Sequence, residues 1–166
     1  ATALFFGDRP KYIPDYLLGD KIWYVRDTDT WEEEGKIQPL RRFCLEQNEK
    51  VAQNPLLERV YSAWNVAQSN PSFEIWLYYH LYEQMPKDEE VEECSSFKEY
   101  VDRLFSGGFD CDKDPARIFD AIRNAKHNFD CIDGILARYS TEVFLLGEEI
   151  YKFVERDIIR LRRKLA

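Results

Sequence analysis

The chain has 166 residues and a formal net charge of −8, with 33% charged and 45% hydrophobic side chains. This composition is typical of one globular domain and excludes a disordered chain, and the acidic balance argues against binding nucleic acid through bulk positive charge. No run approaches the ~20 apolar residues that a membrane span needs, and no signal peptide is visible, so we expect no contact with membranes.

The first half of the chain has the pattern of alternating strands and helices. Thr2 to Phe6 is a short apolar run that fits a strand, and Ile22 to Val25 has the β-branched and aromatic residues typical of a strand. Apolar residues at helical spacing predict a helix that ends near residue 50, and apolar alternation predicts a second strand from Arg59 to Val66. Because a helix joins them, these two strands should be parallel.

Two aspartates, Asp27 and Asp29, follow the strand Ile22 to Val25. Ligands of open α/β sheets bind beyond the carboxyl ends of the strands, where this pair is expected. Mg²⁺ prefers oxygen ligands and needs only one or two protein carboxylates, so the pair suits such an ion. The alternative is structural, since aspartate also bonds the backbone of turns and helix starts.

A second helix is predicted to begin at Pro71, with Ser69 or Asn70 as its cap. Glu74 falls in its first turn, where it either complements the helix dipole or serves as a third carboxylate for the same ion. We expect a hydrogen-bonded interior position for His80, with a catalytic role as the alternative. The stripe expected to point inward consists of Phe73, Leu77, His80 and Leu81.

Helices dominate the second half of the chain. The pattern predicts helices over residues 96–105 and 115–129, a looser segment over residues 130–139, and a last helix capped by Thr141. Asp114 fits a cap better than a calcium ligand, because the surrounding residues lack the glycine and the final acid of a calcium loop. The basic end of the last helix either complements the helix dipole or contacts phosphates of nucleic acid. It comprises Arg160, Arg162, Arg163 and Lys164.

The whole chain is therefore expected to be one α/β domain. Residues 1–85 would form the core with a small, mostly parallel sheet, and residues 86–166 a helical half packed on it. Four scattered cysteines form no Cys-x-x-Cys pair, which favours reduced thiols and a cytoplasmic location.

Three stretches of the sequence belong together as one pattern. The first is Trp23 to Asp29, which carries the Asp-x-Asp pair. The second runs from Ser69 to Leu77, reading Ser-Asn-Pro-Ser-Phe-Glu-Ile-Trp-Leu, and is followed by His80. The third is Tyr139 to Val143. Together they resemble the RloB-like family of TOPRIM-like nucleases, which is associated with restriction and abortive-infection systems, and the third stretch is similar to the element that opens that family's last helix.

The resemblance implies a TOPRIM-like fold and metal-dependent phosphodiester cleavage of nucleic acid in anti-phage defence. By motif, Asp27 and Asp29 would hold Mg²⁺ or Mn²⁺. Glu74 matches the next acidic position of the family's motifs along the chain. The family implies DNA or RNA as the substrate and an ATPase or another defence-system subunit as a partner, and it leaves oligomerisation open.

One part of the family pattern has no counterpart in this sequence. The family's domain opens with a Glu-Gly motif whose glutamate acts as a general acid or base, whereas the first glutamate here is Glu32. Either a segment ahead of Ala1 carries that motif and the first strand of the core, or the chain is a degenerate member. The first case predicts a nuclease, and the second predicts a non-catalytic regulatory or scaffolding subunit.

Overall fold

The computed structural model describes Phe5 and residues 11–28, 35–105 and 108–165. The chain divides into two compact units, the first made of Ala1–Tyr24 with Ile37–Val66 and the second of Val25–Lys36 with Ala67–Ala166. Apart from Phe5, the strand predicted from Thr2 to Phe6 lies outside the described residues. The predicted division near residue 85 stays a prediction.

Two parallel strands form the small sheet of the chain, β1 (Ile22–Asp27) and β2 (Trp64–Ser69). The backbone N–H of Ile22 donates to the carbonyl of Ala63 at 2.7 Å, and that of Thr28 donates to the carbonyl of Ser69 at 2.8 Å. Both residue numbers increase together along this pairing, as parallel strands require. The predicted α/β class, with a small parallel sheet and a helical C-terminal half, is confirmed.

The second strand lies later in the chain than the apolar pattern predicts. The prediction of Arg59 to Val66 was wrong at both ends, since β2 runs from Trp64 to Ser69. Its last two residues are polar and buried, Gln68 at 2% exposure and Ser69 at 0%. Residues distant in sequence form hydrogen bonds with these polar groups. The strand can therefore contain buried polar residues, and a search for alternating apolar residues does not find its end.

The first unit packs around Trp64, which is fully buried at the start of β2. Its ring lies edge-on to Phe43, 5.7 Å between centroids, and stacks against Tyr24 at 6.2 Å. Its indole Nε1–H donates to the hydroxyl of Tyr16 at 3.1 Å. Phe43 lies in α1 (Ile37–Ala52), the helix predicted between the strands, which also contributes Leu40, Cys44 and Val51 to this core.

The second unit contains five α-helices among its described residues. The short helix that follows β2 begins at Glu74, so the predictions of a start at Pro71 and of capping by Ser69 or Asn70 were wrong. Phe73 of the expected inward stripe is exposed, and the buried side chains of this helix are Ile75, Trp76 and Tyr78. The helices are α2 (Glu74–Tyr78), α3 (Asp88–Glu92), α4 (Phe97–Leu104), α5 (Ile118–His127) and α6 (Val143–Leu165).

A short 3-10 helix, Asp114–Arg117, leads into α5. The carboxylate of Asp114 accepts the backbone N–H of Asp110 at 2.7 Å, so it closes a turn and does not cap the helix as predicted. The segment expected to be irregular before α6 is instead a hairpin of β3 (Cys131–Ile132) and β4 (Ile135–Leu136). Its two turn residues, Asp133 and Gly134, both have positive φ, which suits the tight turn between antiparallel strands.

Gly147 allows α6 to pack closely in the second unit. A Cβ atom at this position would meet Cγ1 of Ile122 and Cη2 of Trp76, each at 3.0 Å. The glycine thus brings α6, α5 and α2 together. Along the residues that the structure describes, no helix combines the length and the apolar character needed to cross a membrane. All four cysteines are free thiols, as predicted.

Candidate functional site

Asp27 is the last residue of β1 and is half-buried. Its Oδ1 accepts the backbone N–H of Phe73 at 2.8 Å, so its carboxylate joins the end of the strand to the residue before α2. This bond is the structural role that the sequence left as an alternative. It does not exclude metal binding, because a carboxylate has about four acceptor positions and metal-ligating carboxylates are themselves hydrogen-bonded.

The residue after Asp27 is held firmly between the strand ends. The backbone N–H of Thr28 is shared between the carbonyls of Ser69 and Pro71, at 2.8 and 3.2 Å. Its hydroxyl accepts a hydrogen bond from Nε2 of Gln68 at 2.7 Å, and both side chains are buried. Asp29, the other member of the predicted pair, lies outside the described residues.

Glu74 opens α2 and is half-buried. The hydroxyl of Ser72 donates to its Oε2 at 2.7 Å, which orients the carboxylate. Asp27 and Glu74 line the same depression of about 400 Å³ in the second unit. The structure therefore brings together two of the three acids predicted for the site, through the end of β1 and the start of α2.

The donor set of this depression suits a hard cation. Two carboxylates and the hydroxyl of Ser72 offer oxygen ligands, and Mg²⁺ takes one or two protein carboxylates together with waters or phosphates. Within the described ranges, no group of three or more His, Cys, Asp or Glu residues could hold a metal. Of the three acids predicted as ligands, Asp27 and Glu74 line this depression, and metal binding by Asp27, Asp29 and Glu74 stays a prediction.

The same region of sequence carries the family relationship. The model of the family described as RloB-like protein matches residues 11–150, a span that contains Asp27, Glu74 and the start of α6. The chain belongs to the RloB-like family. This confirms the resemblance seen in the three stretches of sequence. No curated protein and no solved structure matches the chain.

The third RloB-like stretch, Tyr139 to Val143, packs along β2 beside the candidate site. The backbone N–H of Asn70 donates to the carbonyl of Ser140 at 2.9 Å, and Ser69 forms an antiparallel bridge with Thr141. The hydroxyl of Thr141 accepts the N–H of Val143 at 3.1 Å, which confirms Thr141 as the cap of α6. In this RloB-like chain, two motifs far apart in sequence therefore meet at one strand end.

The basic end of α6 lies beyond the matched RloB-like residues. Arg160 pairs with Asp157 on its own helix, 3.4 Å from Nη1 to Oδ1. Nε of Arg162 donates to the carbonyl of Ala116 at 2.6 Å. The bond to Ala116 gives Arg162 a structural role, whereas the exposed pair of Arg160 contributes little, and the predicted phosphate contacts of Arg160, Arg162, Arg163 and Lys164 stay a prediction.

His80 occupies the interior, as one of the two alternatives predicted. It is 5% exposed, and its Nδ1 lies 3.0 Å from the carbonyl of Trp76. Burial lowers the pKa of its imidazole, so the ring is neutral near pH 7. It is not among the residues that line the depression with Asp27 and Glu74.

Two residues of the depression did not emerge from the sequence, Phe97 and Lys98 at the start of α4. The sequence predicts Ser95 or Ser96 as the cap of this helix, and Ser96 is the cap, since its hydroxyl accepts the N–H of Glu99 at 3.1 Å. Nothing in the sequence near residue 97 indicates that the cap would place its neighbours beside Asp27. The only local signal was a lysine next to an aromatic residue, which is common in helices.

Proposed function

We propose that this RloB-like protein is a metal-dependent nuclease with a TOPRIM-like core that acts in anti-phage defence. The observation that supports the proposal most is that Asp27 and Glu74 line one depression at the end of a parallel strand. Such strand ends are where ligands of open α/β sheets bind. Membership in the RloB-like family supports the choice of nucleic acid as substrate.

Asp27, Glu74 and Asp29 would hold Mg²⁺ or Mn²⁺. When bound, the cation would polarise the scissile phosphate and lower the pKa of a water molecule. Glu74, oriented by the hydroxyl of Ser72, would accept or deliver a proton directly or through water. Because the chain is acidic overall, a cation here would also offset the repulsion between these carboxylates and a phosphate.

The family relationship further supports a defence-system partner, such as an ATPase subunit. The competing proposal is a non-catalytic regulatory or scaffolding subunit, which the bond from the Phe73 N–H to Asp27 favours because that bond gives the aspartate a structural role without any metal. The two proposals differ in whether Asp27 binds a cation.

The first test is a titration of the protein with Mn²⁺, in which calorimetry measures the binding affinity. The second is an assay of Mg²⁺-dependent cleavage of DNA and RNA oligonucleotides. Asp27→Asn keeps an oxygen that can accept the N–H of Phe73, so the fold is retained while the charge is lost. We expect it to weaken Mn²⁺ binding by more than the roughly 10- to 100-fold loss typical of residues that merely support metal ligands. Glu74→Gln should weaken binding in the same direction.

Asp102→Asn is the matched control, because Asp102 is exposed and is not among the residues that line the depression. It should bind Mn²⁺ and cleave like the wild type. If the wild type binds no Mn²⁺, or if Asp27→Asn binds it equally well, the metal site is wrong and the scaffolding role is favoured.

A further inference from the structure

The depression that contains Asp27 and Glu74 is also lined by an aromatic ring, that of Phe97. Phe97 is half-buried at the start of α4. Its ring centroid lies 6.0 Å from that of Tyr100 and 5.6 Å from that of Tyr139, both of which are buried. The ring is therefore supported by a fixed aromatic cluster while it borders an open cavity.

The next residue, Lys98, lines the same depression and differs from other lysines of the second unit. Lys87, Lys126 and Lys152 each form an ion pair with a carboxylate. In the described part of the chain, by contrast, no carboxylate lies within ion-pair distance of the Lys98 ammonium group. An acidic chain thus presents an exposed ammonium group at the cavity where a phosphate would have to approach two carboxylates.

We propose that Phe97 and Lys98 bind one unpaired nucleotide of a single-stranded nucleic acid, with its base on the ring of Phe97 and its phosphate at Lys98. The inference rests on the proposed function for the cleavage of the strand beside Asp27 and Glu74, but binding itself does not require the metal. The cavity of about 400 Å³ lies within the range of about 300 to 1,000 Å³ typical of small-molecule sites.

The chemistry of these two side chains explains why the strand must be unpaired. A base can stack on a protein ring only when it is not already stacked inside a duplex, and such stacking tolerates any base. A single lysine adds one phosphate contact and no sequence information. The pair therefore selects for strand state and not for sequence, and it accepts DNA and RNA alike.

The test is fluorescence anisotropy in EDTA with a 12-nucleotide DNA, the RNA of the same sequence, and the corresponding DNA duplex. We expect the wild type to bind both single strands at least tenfold more tightly than the duplex. Phe97→Leu keeps apolar volume but removes the aromatic face, so affinity for single strands should fall on the order of tenfold. Lys98→Ala should lower the slope of log K against log salt by about 0.7, which corresponds to one phosphate contact on a single strand.

Phe153→Ala and Lys152→Ala are the matched controls, because both side chains are exposed on α6 and neither lines the depression. They should bind like the wild type. Lys98 is exposed, so Lys98→Ala provides a result even if Phe97→Leu is found to unfold.

Several outcomes overturn the inference: no binding of single strands, equal or tighter binding of the duplex, or unchanged affinity and salt slope in both variants. Its failure is separable from that of the proposed function. Mg²⁺-dependent cleavage with normal binding by both variants refutes the nucleotide site alone, whereas binding that depends on Phe97 and Lys98 without any cleavage refutes the nuclease alone.

Discussion

The side-chain amide of Asn48 makes with Trp64 the two hydrogen bonds that a neighbouring strand would make. Its Oδ1 accepts the Trp64 N–H, and its Nδ2 donates to the Trp64 carbonyl, each at 2.8 Å. Asn48 lies in α1, so the helix protects the edge of β2. Unpaired strand edges otherwise offer a template for association with other chains.

Replacing Asn48 should therefore destabilise the first unit. Asn48→Ala leaves one buried donor and one buried acceptor without these partners, and we expect the free energy of unfolding to fall by about 1 to 3 kcal/mol in urea titrations. Asn48→Asp should lower the free energy of unfolding at least as much, because it loses the donor and places a negative charge beside the carbonyl of Trp64. Asn65→Ala, which removes only a bond to the carbonyl of Ser62, should change the stability by less than about 0.5 kcal/mol. Equal effects of the two alanine variants would mean that the Asn48 bonds contribute little.

The hydroxyls of Ser69 and Thr141 form a second buried contact, 2.7 Å apart. Thr141→Val keeps the shape of the side chain but removes this bond and the cap of α6, so we expect a loss of about 1 to 3 kcal/mol in the free energy of unfolding. Thr141→Ser retains the hydroxyl and should cost less. A valine variant as stable as the serine variant in urea titrations would show that the hydroxyl contributes no stability.

Acid should weaken the start of α4 through Glu99. Hydrogen bonds from the Ser95 hydroxyl and N–H, and from Arg103, lower the pKa of Glu99 from 4.5 to about 2. Because the folded pKa is the lower one, the contribution to stability is complete above about pH 4.5 and is lost as the pH falls toward 2. NMR titration of the Glu99 carboxyl carbon measures this pKa directly. Ser95→Ala removes one donor and should raise it, and a midpoint near 4.5 in the wild type would refute the contact.

The basic end of α6 should divide into structural and exposed positions. Arg162 bonds the carbonyl of Ala116 and reaches Oδ2 of Asp120 at 3.0 Å, so Arg162→Ala should lower the free energy of unfolding by about 1 kcal/mol. Arg163→Ala should change it by less than about 0.5 kcal/mol. If the basic end of α6 contacts phosphates, Arg163→Ala should also reduce the salt dependence of oligonucleotide binding, although it leaves the stability nearly unchanged. Equal stabilities of the two variants would contradict the structural role of Arg162.

Features that depend on neighbouring residues could be predicted from the sequence. The spacing of apolar side chains in α1 and the β-branched and aromatic content of β1 indicated both elements, and the helix between the strands implied their parallel pairing. The position of Asp27 at the end of β1 followed from the same pattern. The hairpin over β3 and β4 was missed, because the prediction was an irregular segment there, although Asp133-Gly134 is a strong local signal for a tight turn.

Features that depend on distant partners could not be predicted. Gln68 and Ser69 look polar enough for a loop, but they become strand residues because Thr28, Glu142 and Thr141 satisfy their polar groups. No local pattern announces such partners. Phe97 and Lys98 could not be predicted for the same reason. They line the depression with Asp27 because the folded chain brings together residues about seventy positions apart in the sequence.

The pairing of Asn70 and Gln68 with residues 140–142 has a consequence during protein synthesis. A nascent chain that has not yet emerged as far as residue 142 carries Asp27 and β2 but lacks the segment that pairs with the end of β2. The end of β2 therefore stays unpaired on that side until this segment has emerged, and a product that stops short of it would expose backbone groups that can associate with other chains.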